Sequence, residues 1–333
     1  FDDYQIGHDQ FLFKQFMRLL SCISNNHHRN SQFISKIEQI LTHFKNEMEQ
    51  YFTNNEKYNI FRLNKRILLF LIENKMIIID EHLQKQIDSE YKTYYYIDYL
   101  TPESKEAFTN QPPSPLFNLI LHFSGINPDN DKENFEEKRK TGENDSYICE
   151  LIRNDSIVEF IEHINKESIN LNSYTKKTIF ETNPLLIKRQ PTFIEYAAFF
   201  GSIQIFKYLK LNGIEMTPSL WIFAIHGNNP EIIDILEEND ILPKDRSYME
   251  CLIESIKCHH NDITRYIQNK YFEKNDSNEI LKACLKFFNY SFIKNDIING
   301  LSFYELIKYD HLTIVDTLIK NKRIDLNKKI VLN

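Results

Sequence analysis

Glycine is scarce in this 333-residue chain, which contains only 7 of them, about a third of the number that average usage would supply. Phosphate-binding loops depend on glycine, and neither G-x-G-x-x-G nor G-x-x-x-x-G-K-[ST] occurs. Nucleotide-binding folds of those two types are therefore disfavoured. Asparagine is plentiful, and it tolerates the left-handed conformation better than other residues with a Cβ, so we expect it at many helix ends.

Cysteine and long apolar runs are also in short supply. The five cysteines are scattered without a C-x-x-C pair, which favours a reducing, cytoplasmic compartment. The longest apolar run, from Ile67 to Ile72, stops at Glu73 and is far too short to cross a bilayer. We therefore expect no membrane partner.

No excess of positive charge is present. The chain has 40 Lys and Arg against 47 Asp and Glu, a net charge of −7, with the two signs interspersed. A nucleic-acid partner is therefore not expected. The most basic cluster closes the last predicted helix, where cations favour the negative end of the helix dipole; it comprises Lys320, Lys322, Arg323, Lys328 and Lys329.

Motifs that would indicate catalysis or metal binding are missing. G-x-S-x-G and H-E-x-x-H do not occur, and the pair His27-His28 lies in a polar turn that we expect to be solvent-exposed. The set nearest to a zinc site is Cys251, Cys258, His259 and His260, but its spacing is unlike that of a zinc knuckle. The sequence thus predicts no catalytic residue, no cofactor and no metal.

Apolar residues recur at steps of three and four between Ser31 and Phe52, which predicts an amphipathic helix. Residues 11–23 read as its antiparallel neighbour, and residues 65–73 as a further helix. We assign residues 1–88 to an N-terminal helical region. Residues 65–73 could be a distant copy of the repeat described below.

Residues 89–145 differ in texture, because they contain five prolines and a stretch of mixed charge. The prolines forbid long helices, although residues 116–123 could form one short helix. We interpret residues 89–145 as an irregular, proline-containing connector.

From residue 146 to residue 333 a pattern of two short helices separated by a polar break recurs. Its clearest unit reads TFIEYAAFFG from Thr192 and SIQIFKYL from Ser202. Because each helix pair offers an apolar face that it cannot bury alone, neighbouring pairs must stack. Further units begin near Tyr147, Leu220 and Met249, a weaker one near Asn278, and the last at Leu301.

The unit at Thr192 resembles an ankyrin repeat. It matches the family pattern at Thr192, Ile194, Ala197, Ala198, Gly201, Ile205, Leu209 and Gly213. Phe193 stands where proline is usual, and Glu195 where histidine is usual. The stretch from Tyr147 to Glu238 is also similar to an ankyrin-related domain of unknown function that is expanded in protists.

The pattern predicts an all-α fold, and the resemblance implies an ankyrin-like helical-repeat solenoid of antiparallel helix pairs that serves as a protein-binding scaffold. We expect a protein partner on the concave face formed by the first helices of successive pairs. The predicted contact residues are Phe199, Phe200, Trp221 and His226. Phe199 and Phe200 could instead pack into a neighbouring unit.

Two other functions remain open from the sequence. One is an enzyme whose site lies in residues 89–145 or between the two helical halves, which would require a deep pocket lined by several titratable groups. The other is a purely structural repeat protein without a dedicated ligand.

Overall fold

The computed structural model describes residues 6–29, 31–87, 95–100, 132–244, 246–272, 277–293 and 300–320. Within these residues the fold is all-helical, and the only extended pairing is an isolated bridge between Tyr174 and Thr192. None of the described helices is both long and apolar enough to cross a membrane.

Six helices form the described part of the N-terminal region, and a seventh follows in the predicted connector. They are α1 (Gln10–Asn26), α2 (Ser31–His43), α3 (Lys45–Tyr51), α4 (Asn54–Phe61), α5 (Lys65–Glu73), α6 (Glu81–Gln86) and α7 (Lys132–Thr141). The helix predicted between Ser31 and Phe52 is broken at Phe44, where α2 gives way to α3. The helix predicted at residues 116–123 lies outside the described residues.

The C-terminal part contains twelve described helices. They are α8 (Tyr147–Arg153), α9 (Ile157–Glu167), α10 (Pro184–Lys188), α11 (Phe193–Phe200), α12 (Ile203–Leu211), α13 (Leu220–Gly227), α14 (Pro230–Glu238), α15 (Met249–Lys257), α16 (Asn261–Tyr271), α17 (Ser277–Lys286), α18 (Gly300–Lys308) and α19 (Leu312–Lys320).

These helices pack as pairs, and each pair contacts the next one along the chain. We call α8, α11, α13, α15, α17 and α18 the inner helices, because each contacts the next one in the series. The helices that pair with them are α9, α12, α14, α16 and α19. One continuous core runs from Ile148 to Cys284 through this stack, and a smaller one joins α17, α18 and α19.

A left-handed turn ends the inner helices. The first or second residue after the helix has positive φ, between 49° and 69°; these residues are Asp155, Gly201, Asn228, His259, Phe288 and Asp310. Only one of the six is glycine, so the chain uses other residues in a conformation that costs roughly 1 kcal/mol or more for a residue with a Cβ. Lys75, with φ of 56°, makes the same turn after α5.

The residue after these turns bonds back to the preceding unit. Ser202 donates to the carbonyl of Ile152, Asn229 to Gly201, and Asn289 to Ile256, at 2.5, 2.9 and 3.0 Å. His311 bonds to the carbonyl of Leu285 at 2.7 Å. Because the last carbonyls of a helix lack an intrahelical partner, each bond satisfies an inner-helix end and sets the spacing to the next unit.

The closest approach between inner helices is that of α11 and α13. A Cβ built on Gly227 would lie 2.0 Å from the carbonyl oxygen of Ala198. Ala197, Ala198 and Ala224 are fully buried beside it. The small side chains at these positions allow the two inner helices to approach closely.

The N-terminal segment lies along the ends of the inner helices. Gln15 of α1 donates to the carbonyl of Asp310 at 3.2 Å, and the Cys22 thiol donates to the carbonyl of Phe287 at 3.7 Å. Farther along, His28 bonds to the carbonyl of Phe199 at 2.6 Å. The segment from α1 to His28 therefore passes the ends of α18, α17 and α11 in that order.

Candidate functional site

The four predicted contact residues are mostly buried. Phe199 and Trp221 have no exposed surface, and His226 is 2% exposed. Phe200 alone is partly exposed. In this structure a partner could therefore touch only Phe200 among the four.

His28 is the residue that covers the end of α11. Its ring lies 5.0 Å from the Phe199 ring and 4.8 Å from the Phe200 ring, measured between centroids. Phe199 in turn stacks on His226 of the next inner helix at 5.1 Å. Phe199, Phe200 and His226 are thus brought together, and Phe199 packs into the neighbouring unit.

Trp221 lies in the first turn of α13, whereas His226 lies near the end of that helix. The indole nitrogen of Trp221 donates to the carbonyl of Ile241 at 2.6 Å, and the Trp221 ring packs edge-on against Tyr248. Trp221 therefore stabilises the loop before α15, and the structure does not group it with the other three residues.

His226 has polar neighbours on α15 and at its end. Its Nε2 lies 2.6 Å from Oε1 of Glu254, and the same oxygen accepts a hydrogen bond from Lys257 at 2.7 Å. The Cys258 sulfur lies 3.5 Å from Nε2 and 3.6 Å from Nδ1 of the imidazole. Burial by itself would raise the pKa of Glu254, but the hydrogen bond and charge of His226, with those of Lys257, lower it to about 2.

Further histidines gather around this group. The rings of His27 and His260 lie 5.3 Å apart, and His260 bonds to the backbone of His226. His259 bonds to the carbonyl of Phe287 at 2.8 Å. We call the set His27, His28, His226, His259 and His260 the histidine junction. It joins the turn after α1 to α11, α13 and α15.

Burial lowers the pKa values of His27, His28, His259 and His260 in this junction. Loss of hydration, which disfavours the imidazolium form, is the largest cause at His27, His28 and His260, and each pKa falls to about 4. The expectation that His27 and His28 form a solvent-exposed turn is therefore wrong. Both are partly buried because the array supplies the covering surface.

A cleft of about 810 Å³ opens beside Phe200 and His28, between the N-terminal helices and the start of the array. Charged groups line it in pairs. Arg66 lies 2.5 Å from Glu38, and Arg153 lies 3.0 Å from Glu143. Burial raises the pKa of Glu143, and the charge of Arg153 opposes that rise.

Sequence reasoning missed Glu254 as a neighbour of His226. One signal was present, since Glu254 and Cys258 are four residues apart and so share one helix face. The proximity of His226 to both residues comes from the stacking of α13 on α15, which no local pattern reports. Of the four residues weighed as zinc ligands, Cys258 brings its sulfur to 3.5 Å from the His226 ring.

Comparisons with protein-family models, with curated proteins and with solved structures gave no match.

Proposed function

We propose that this chain is a protein-binding scaffold built as an ankyrin-like helical-repeat solenoid. The repeated left-handed turn and the bond back to the preceding unit support this architecture, because a repeat array needs the same junction between every pair of units. The proposed partner is a protein. Five free cysteines support a reducing, cytoplasmic location.

The site that we propose for the partner is the cleft beside Phe200. Of the concave-face residues expected from the sequence, Phe199, Trp221 and His226 are buried, and His28 in the turn after α1 packs against Phe199 and Phe200. Phe200 combines a partly exposed ring with neighbouring guanidinium groups of Arg66 and Arg153. Aromatic and arginine side chains are the residue types that most often anchor protein interfaces, and this combination carries the proposal.

The same cleft is the feature that would favour an enzyme, since titratable groups line a deep space between the two halves. However, these groups are engaged in structural bonds. Arg153 pairs with Glu143 and also donates to the hydroxyl of Tyr196 at 3.0 Å and to the carbonyl of Asn144 at 2.7 Å. We infer that the cleft serves binding rather than acid–base chemistry.

The test compares variants of the full chain in affinity capture from native cell extract, read by mass spectrometry. Phe200→Ala removes the aromatic anchor, and the double variant Glu137→Lys with Lys140→Glu reverses two exposed charges at the rim without changing the net charge. We expect both variants to lose proteins that the parent captures. Leu211→Ala, at a side chain that is 84% exposed on α12, is the matched control and should keep them.

Circular dichroism and thermal unfolding must show that each variant keeps the parent fold. Equal capture by the parent and both cleft variants would reject the cleft as the binding site. Absence of any protein specific to the parent would favour a purely structural role.

A further inference from the structure

His226, Glu254 and Cys258 place three metal-binding atom types in one group, in which His226 and Cys258 are buried and Glu254 is partly buried. One ligand atom from each lies within 4.8 Å of the others. Cys258 has no exposed surface, and His226 is 2% exposed. The three side chains come from the end of α13, the last turn of α15 and the residue that follows it, so the stacking of two units assembles the group.

The distances can be compared with those of a tetrahedral site. With zinc bonds of about 2.3 Å to sulfur and about 2.0 Å to nitrogen, the sulfur–nitrogen separation in a tetrahedron is roughly 3.5 Å. The Cys258 sulfur lies 3.5 Å from Nε2 of His226. The carboxylate is closer to the imidazole, at 2.6 Å, because it now forms a hydrogen bond with it. Glu254 would have to withdraw by under about 1 Å to reach a tetrahedral separation.

We propose that His226, Glu254 and Cys258 bind a divalent ion of the zinc class, with water in the fourth position. Thiolate and imidazole select zinc and cobalt over magnesium and calcium, which prefer oxygen ligands alone. This site is separate from the cleft beside Phe200, and it does not depend on the function proposed for that cleft.

Charge balance is consistent with such an ion. Glu254 is a carboxylate whose pKa lies well below neutrality. Burial keeps the Cys258 thiol protonated, with its pKa raised well above the usual value. Ion binding must therefore displace one proton from Cys258, after which the thiolate and the carboxylate together neutralise a divalent cation.

Surrounding groups hold the ligands in place, as outer-shell contacts do at protein metal sites. Phe199 stacks on the His226 ring at 5.1 Å with an interplanar angle of 23°, which sets the plane of the imidazole. Lys257 donates to Glu254 at 2.7 Å. Lys257 also lines a cavity of about 620 Å³ together with Cys22.

The test is titration of the chelator-treated full chain with Co²⁺, which replaces zinc and reports thiolate bonding by an intense near-ultraviolet absorption band. We expect one equivalent to bind, and excess Zn²⁺ to abolish the band. Cys258→Ser should eliminate the band, and His226→Gln and Glu254→Gln should each weaken binding at least about tenfold. Cys149→Ser alters a different buried thiol and should leave the titration unchanged.

X-ray absorption of the zinc-loaded parent protein gives a result that does not depend on the folding of any variant. We expect one sulfur at about 2.3 Å and lighter ligands at about 2.0 Å. No binding by the parent, a band that persists in Cys258→Ser, or a sulfur number other than one would overturn the proposal.

Discussion

Single residues in this fold are constrained by chain segments that are remote in sequence. The sequence made Phe199 a candidate contact residue on the expected concave face. Its carbonyl instead receives His28, which lies 171 positions earlier. Local sequence could indicate that Phe199 ends an inner helix. It could not indicate which remote segment would cover that end.

Gly227 is the residue at which added volume should be most damaging. A Cβ there would lie 2.0 Å from a backbone oxygen of α11, so the two inner helices would have to separate. We expect Gly227→Ala to lower the free energy of unfolding by about 3 kcal/mol or more, at the upper end for overpacked cores. Urea denaturation followed by circular dichroism measures the change.

Gly213→Ala is the matched control for this substitution. A Cβ at Gly213 meets no atom within 4 Å, but φ is +79°, so the cost should be limited to about 1 kcal/mol of backbone strain. If the two variants were equally stable, the close approach of α11 and α13 would not limit the residue at position 227.

Among the helices, those with a clear apolar repeat were predicted well. The predicted bounds of α5 agree with the structure, as do the predicted starts of α8, α13 and α15 near Tyr147, Leu220 and Met249. The helix α7 was missed in the predicted connector because its inward face carries little apolar signal. Its buried positions are Phe135 and Arg139, and Arg139 is 1% exposed. A hydrophobic pattern assigns any arginine to the surface, so it cannot predict that Arg139 is buried.

At the left-handed turns that end the inner helices, residues other than glycine occupy most of the positions with positive φ, which is consistent with the low glycine content of the chain. At Lys75 this turn carries an exposed lysine with φ of 56°. We expect Lys75→Gly to raise the free energy of unfolding by about 0.5–1 kcal/mol, because glycine adopts positive φ without a steric penalty and loses part of this gain through its greater freedom when unfolded.

Lys75→Ala separates the backbone effect from the loss of the lysine side chain. Alanine keeps the steric penalty of positive φ, so it should be about 1 kcal/mol less stable than the glycine variant. Thermal unfolding of the two variants side by side measures this difference. Equal stabilities would mean that the turn after α5 is not left-handed in solution.

On the scale of the whole molecule, the sequence indicated two helical halves but not how they contact one another. Part of the contact is made by the segment from α1 to Arg29, which carries hydrogen-bond donors to the ends of the inner helices. Arg29 itself is buried and donates to the hydroxyl oxygen of Thr182 at 3.0 Å and to the carbonyl of Ser24 at 2.6 Å. The sequence of the turn after α1 could not predict this contact, because the partners of His28 and Arg29 lie in distant parts of the chain.

The histidine junction should make stability depend on pH. His27, His28 and His260 have pKa values near 4 in the folded chain, against 6.5 for an ordinary histidine. The unfolded chain therefore binds more protons below pH 6.5, so stability is complete above that pH and declines as pH falls towards 4. At about 1.4 kcal/mol for each pKa unit, each histidine should contribute a loss of up to roughly 3 kcal/mol.

Urea denaturation at intervals between about pH 7.5 and about pH 5, a range that spans the usual imidazole pKa, measures this loss. His27→Gln and His260→Gln should flatten the dependence, since glutamine cannot gain the proton. His82→Gln, at an exposed histidine on α6, should leave the dependence of stability on pH as in the parent.

The raised pKa values of Glu143 and Glu181 act in the opposite direction, because protonation of these carboxylates relieves buried charge as the pH falls. A parent stability that is constant down to pH 5 would show that the histidines of the junction are hydrated, and that α1 does not cover the inner helices as described.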